Sequence, residues 1–219
     1  LVEVNCESDF VARGEQYKAY VDEVAQYIAN NNVATVEDVK NGMLVQTNEA
    51  VAKIGEKIDI RRFEKVVSTN KIDSYIHMGG KIGVLVEMSA NASDELTHDV
   101  ALQIAASNPL YVKSEDVPNE DVEKEKEILR VQAQAEEKPK PAAIVEKMID
   151  GRIAKFYKEI CLIEQPFVKD GDKSVKAILK EGGNVEVFKF SRFTMGEGLE
   201  KKSEDLSKEV EEQIANMKK

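Results

Sequence analysis

Residues 74–88, "SYIHMGGKIGVLVEM", hold the most regular apolar pattern in the chain, and the fold is read outward from them. Ile76, Met78, Ile82, Val84, Val86 and Met88 fall on even positions, with Tyr75, His77, Gly79, Lys81 and Glu87 on odd ones. A period of two is that of a strand with one face in the core, so the even set is expected inside and His77 on the other face. Gly79-Gly80 marks a kink or a close backbone approach.

On either side the period changes. Upstream, Tyr17, Val21, Val24 and Ile28 recur at helical spacing and stop at Asn30-Asn31-Asn32; a second helical stretch is expected from Val36 to Ile54-Gly55. In "KIDIRRFEKV" the alternation of Ile58 and Ile60 slips phase at Phe63, as a β-bulge would make it do. Downstream, Leu96, Val100, Gln103 and Ile104 predict a helix over 93–107, stopped by Asn108-Pro109. "NEDVEKEKEILRVQAQAEE" and "AAIVEKMIDGRIAKFYKEI" flank the proline-bearing "EEKPKP", predicting an antiparallel helical hairpin of coiled-coil character over about 118–160. A short helix in "SVKAILKEG", a strand in "VEVFKFSRFTM" and a terminal helix through Leu206, Val210, Ile214 and Met217 close the chain.

Strands and helices in this order predict an α+β fold with small antiparallel sheets packed against helices. "EVNCESDFVAR" followed by a helix and "KIGEKIDIRRF" shares an outline with "CLIEQPFVKD" followed by a helix and "NVEVFKFSRF". If that echo is a duplication, two related subdomains are expected, residues 1–90 and 91–201, the second interrupted by the hairpin and followed by a helix over 202–219. The first residue is Leu inside a strand-like run, which reads as a fragment of a longer chain.

Composition narrows the function. The net charge is −10, with 31 Lys and Arg against 41 Asp and Glu. Without a concentrated basic stripe, direct nucleic-acid binding is not expected. No apolar run is long enough to span a bilayer. Cys6 and Cys161 are isolated from each other and from any Cys/His cluster, which predicts reduced structural thiols. His77 and His98 are the only histidines, and neither has metal-ligand spacing to a Cys or a carboxylate. "MGGKIG" fails as a phosphate loop, because Tyr75 stands where Gly is needed and Ile82 where Ser or Thr is needed. No catalytic group, metal or cofactor is expected, which leaves a protein that works through its surfaces.

One surface candidate is Phe10, in "SDFV". It lies seven residues before Tyr17, so a continuous helix would put it on the core face; the polar Glu7-Ser8-Asp9 flank and Gly14 argue instead for a turn. Periodicity alone favours the core.

The segments "EVNCESDFVAR", "KIGEKIDIRR", "SYIHMGGKIGVLVE", "VALQIAASNPLYV", "EKMIDGRIAKFYKEICLIEQPFVKD" and "VEVFKFSRFTMGEGLEKK" resemble the elongation factor Ts family in order and spacing, over essentially the whole chain. The resemblance implies a guanine-nucleotide exchange factor acting on elongation factor Tu in the bacterial cytoplasm. It also implies that the family's N-terminal helical module is not in this chain. Asp9 and Phe10 would then enter the GTPase domain near its Mg²⁺ site, reversing the core expectation for Phe10. Ile54 and Gly55 match a further contact segment, and His77 matches a histidine facing the nucleotide domain. Val168 and Lys169 match a segment that approaches the distal part of Tu. Two positions depart from the family: Ser8 replaces the usual Thr and keeps the capping hydroxyl, while Lys169 replaces the usual Met. A homodimer or a 2:2 assembly with Tu stays open.

Overall fold

The computed structural model describes residues 1–134 and 141–199. The predicted "EEKPKP" turn and the predicted helix over 202–219 fall, wholly or almost wholly, outside the described residues. The described chain is α+β, as the alternation of periods predicts.

The first part pairs strand β1 (Val2–Asn5) antiparallel with β2 (Asp59–Phe63). Between them run α1 (Asp9–Arg13), α2 (Glu15–Asn30), α3 (Val36–Gly42) and α4 (Leu44–Ile54). Glu3 faces Arg62 and Val4 faces Ile60, so Arg61 is the extra residue of a bulge, and it causes the phase slip seen before Phe63. Tyr17, Tyr20, Val24 and Ile28 of α2 close a core with Val39, Met43, Ile58 and Ile60. The single helix expected over 36–54 is two. Met43 leaves helical geometry at φ −104°, ψ 10°, and the break buries its side chain to 1% exposure.

The second part is built on β3 (Lys71–His77) and β4 (Ile82–Met88), extended by β7 (Val187–Thr194) in the order β3-β4-β7. Strand pairing therefore runs across position 90. Helix α5 (Asp94–Ser107) packs on one face; Ser93 caps its start, and Asn108 ends it in the left-handed conformation. Val84, Val86 and Met88 meet Val100, Ile104, Leu162 and Val175 in the largest core. The opposite face approaches β1–β2: Arg62 lies over the Phe193 ring at 4.3 Å, and a Cβ on Gly83 would come within 2.7 Å of the Leu1 side chain.

The expectation for β3 is corrected. Ile76 and Met78 are 59% and 63% exposed, and Tyr75 is the residue that packs on the core. The cause is the register. Tyr75 pairs with Val84 and His77 with Ile82 across a four-residue turn, so odd positions of β3 share a face with even positions of β4. His77 therefore lies on the Tyr75 side of the sheet, at its turn end. Met78, Gly79 and Gly80 all take positive φ, and the single period does not survive the turn.

Helices α6 (Asn119–Gln134) and α7 (Ala142–Ile160) pack together through Val122, Leu129, Ile149 and Ile153. Arg130 pairs with Glu146 at 3.4 Å, and Arg152 donates to Gln132 at 3.2 Å. Strands β5 (Pro166–Phe167) and β6 (Asp170–Ser174) then form a tight hairpin before α8 (Val175–Glu181).

Candidate interaction surface

Ser8 begins the surface. Its backbone is extended, and its hydroxyl accepts from the Val11 amide at 3.3 Å, which starts α1. Gly14, extended at φ −69°, ψ 139°, separates α1 from α2, so Phe10 and Tyr17 do not share a helix face. Phe10 consequently stands 91% exposed, and none of the residues of α1 is buried. Asp9 beside it lies 3.8 Å from Arg13 and 3.7 Å from Lys81.

The "KIGE" segment arrives at the same place. Ile54 is half-buried against the first core. Gly55 ends α4 at φ 81°, the left-handed region where glycine is cheapest. That turn delivers Glu56 to Ser8. The Glu56 carboxylate accepts from the Ser8 amide at 2.9 Å, the Glu7 amide at 3.1 Å and the Ser8 hydroxyl. The hydroxyl bond is the main influence holding the Glu56 carboxyl below the usual carboxylate range. Ser8 thus donates to Glu56 and accepts from Val11 at once.

His77 sits where β3 enters its turn. Its Nδ1 is 3.1 Å from the Tyr75 hydroxyl, with ring centroids 5.6 Å apart. The Tyr75 ring also meets His98 edge-on at 5.5 Å, and His98 Nδ1 lies 3.1 Å from Asp73. Lys81, at the far side of the same turn, reaches Asp9. Asp9, Phe10, Ile54 and Gly55 are therefore linked through Glu56 and Lys81, with His77 at the other end of the Lys81 turn.

Val168 and Lys169 form the tip of the β5–β6 hairpin and hang on α5 instead. The Val168 amide donates to Gln103 Oε1 at 2.7 Å, and Lys169 pairs with Asp99. Gln103, fully buried, also donates to Ser107, to Gln165 and to the Pro166 carbonyl. His98 and Asp99, adjacent in α5, thereby face the β3 strand and the hairpin respectively.

Glu56, Lys81, Tyr75 and Gln103 were not found from sequence. Glu56, Lys81 and Gln103 meet partners distant in the chain, and Tyr75 meets both His77 and His98; periodicity reports none of these contacts. The one local signal was Glu56, placed directly after a helix-ending glycine.

The groove between β3 and the start of α5 is lined by Lys71, Asp73, Asp94 and His98, which pair among themselves. Among the described residues no three His, Cys, Asp or Glu side chains converge to hold a metal. Burial pushes the Cys161 thiol up to about 11 and raises that of Cys6. Among the described residues no helix is long and apolar enough to cross a membrane.

Fold and surface together define an α+β protein that presents projecting side chains. The sequence pattern of the family described as Elongation factor TS matches residues 7–197. Elongation factor Ts of Clostridium perfringens strain SM101 is 47% identical over 227 residues, covering 96% of this chain and 74% of the relative. Elongation factor Ts of Symbiobacterium thermophilum is 45% identical over 225 residues, covering 96% and 73%, and that of Clostridioides difficile strain 630 is 46% identical over 230, covering 98% and 75%. The chain belongs to the elongation factor Ts family, whose members act in translation elongation.

Proposed function

We propose that this chain is a guanine-nucleotide exchange factor for elongation factor Tu, working without a catalytic group of its own. The observation that carries this reading is Phe10: a large apolar side chain held 91% in water at the start of a capped helix, inside the family match. An apolar ring kept out of the core with an anchored backbone behind it suits insertion into a partner.

Magnitudes set how the exchange must work. A nucleotide held at about nanomolar affinity represents about 12 kcal/mol. Burying one aromatic ring returns about 1.5–3 kcal/mol. A wedge alone is therefore too weak, and the factor must bind the nucleotide-free form of Tu over a broad surface. In this reading Phe10 and Asp9 disturb the Mg²⁺ and phosphate side of Tu. Ile54, Gly55 and His77 seat its nucleotide domain, and Val168 and Lys169 hold its distal part. Linkage requires that the factor weaken nucleotide binding by the same ratio that nucleotide weakens factor binding.

The test is release of fluorescent GDP from Tu. The wild-type chain should accelerate release, and excess GDP with Mg²⁺ should displace it from Tu; a passive scaffold would stay bound. Phe10→Ala should slow release roughly tenfold or more, in keeping with about 1.5–3 kcal/mol of ring burial. Wild-type release and complex stability with that variant would refute the wedge.

A further inference from the structure

We propose that Glu56 is the positioning residue that sets how Phe10 is presented, its carboxylate clamping the start of α1 to the corner after α4. The proposal rests on the exchange reading above and adds to that surface the residue after Gly55, which is not among the contact positions named there.

Helix α1 has five residues and buries none of them. A single turn of helix is unfavourable by itself, because nucleation fixes several dihedrals for one hydrogen bond. Something outside α1 must hold it. Val11 and Ala12 are only partly buried against the first core, and the Asp9 ion pairs at 3.7 and 3.8 Å are exposed and weak. Glu56 is the strong anchor: one carboxylate receives the Glu7 amide, the Ser8 amide and the Ser8 hydroxyl. Hydrogen bonds to an ionised acceptor are shorter and stronger than neutral ones.

The clamp also sets direction. It grips the two residues preceding Asp9, at the hinge about which the helix would swing. The same Ser8 hydroxyl caps Val11, so the clamp and the cap share an atom and hold the Phe10 backbone between them. Glu56 comes from 48 residues away in sequence, and the left-handed Gly55 aims it. The SDFV and KIGE segments therefore meet a partner as one rigid piece, paying less ordering cost on docking.

Three variants of the full chain test this: Glu56→Gln, which removes the charge and one acceptor oxygen; Glu56→Ala; and Phe10→Ala as the control on the exchange reading. The first readout is amide hydrogen exchange at Val11 and Ala12, which needs no partner. Both Glu56 variants should lose protection there by roughly tenfold, the worth of about one charge-assisted hydrogen bond, with α2 unchanged. In the wild type, the Glu7 and Ser8 amide proton shifts should titrate with a carboxyl held below the usual range, and in Glu56→Gln that titration should vanish. The second readout is GDP release from Tu, expected to slow roughly tenfold in both Glu56 variants for the same reason. Unchanged protection in α1 overturns the proposal whatever happens with Tu. Lost protection with unchanged release, while Phe10→Ala slows release, also overturns it, because Glu56 would then be a local cap only. If Phe10→Ala itself releases GDP at the wild-type rate, the exchange reading fails, and lost α1 protection still upholds the clamp.

Discussion

Phe10 and Phe167 open two Phe-Val pairs that look alike in the sequence, yet one is 91% exposed and the other 5%. Phe10 follows a helix-capping serine and points away from any core. Phe167 lies in a two-residue strand that turns back at once, and its ring packs with Leu162 and Val175. The dipeptide carries no direction; the backbone on either side supplies it. Urea denaturation should separate the two. Phe10→Ala should shift stability by no more than about 0.5 kcal/mol, whereas Phe167→Ala should cost about 3–5 kcal/mol. The thiols divide in the same way. Cys161 is fully buried, with its ionisation pushed up to about 11 mainly by that burial, while Cys6 is half-exposed. Iodoacetamide at about pH 8 should label Cys6 slowly in the folded protein and leave Cys161 unmodified until denaturant is added.

Elements were readable wherever one helix or strand buries a single face. The stop signals around α2 and α5 place their ends within a residue or two, because capping and helix-breaking are local chemistry. Three stretches resisted. The β3–β4 stretch carries an unbroken alternation that a four-residue turn divides, so Ile76 and Met78 face water although their parity matches the core residues of β4. The 36–54 stretch has helical periodicity throughout, yet it breaks at Met43, directly after Gly42, where a Cβ would lie 1.9 Å from the Tyr27 hydroxyl. The β5–β6 hairpin was invisible because its support is a buried amide, Gln103, whose partners are about 60 residues away. Replacing Gln103 by Met keeps the volume and leaves the Val168 amide and the Pro166 carbonyl without their partner. Stability in urea should fall on the order of 2–3 kcal/mol. Amide exchange at Val168 should rise with it, and an unchanged Val168 amide would show that the hairpin is held elsewhere.

At the scale of the molecule, no periodicity announces that β7 joins β4, about a hundred residues earlier, because a pattern of faces does not name a partner strand. Nor does it announce how the β1–β2 pair is fastened to that sheet. The fastening is Glu3, 7% exposed, which accepts from Arg61 at 2.9 and 3.1 Å, from Arg62 at 2.5 Å and from the Gly196 amide at 3.1 Å. Arg62 continues to the Thr194 carbonyl and stacks over Phe193, so one carboxylate joins the bulge of β2 to the end of β7. The bulge at Arg61 lets two successive arginines converge on it. Burial would raise the Glu3 carboxyl, but the bonds from Arg61, Gly196, Arg62 and Asn5 outweigh it and hold it below the usual range. A carboxyl lowered by folding stabilises the folded state above its unfolded pKa of about 4.3 and loses that contribution as pH falls through the folded value. Glu3→Gln should therefore cost on the order of 3 kcal/mol near neutral pH, since it leaves two arginines without their buried counterion. The gap between wild type and variant should narrow as pH falls from neutrality through the unfolded value and then through the lower folded one, as the wild-type carboxyl takes up its proton. Urea titrations of both proteins across that range measure the gap directly. A gap independent of pH would mean that the joint is held by shape and neutral hydrogen bonds, and that the charge on Glu3 contributes nothing to fastening the two sheets.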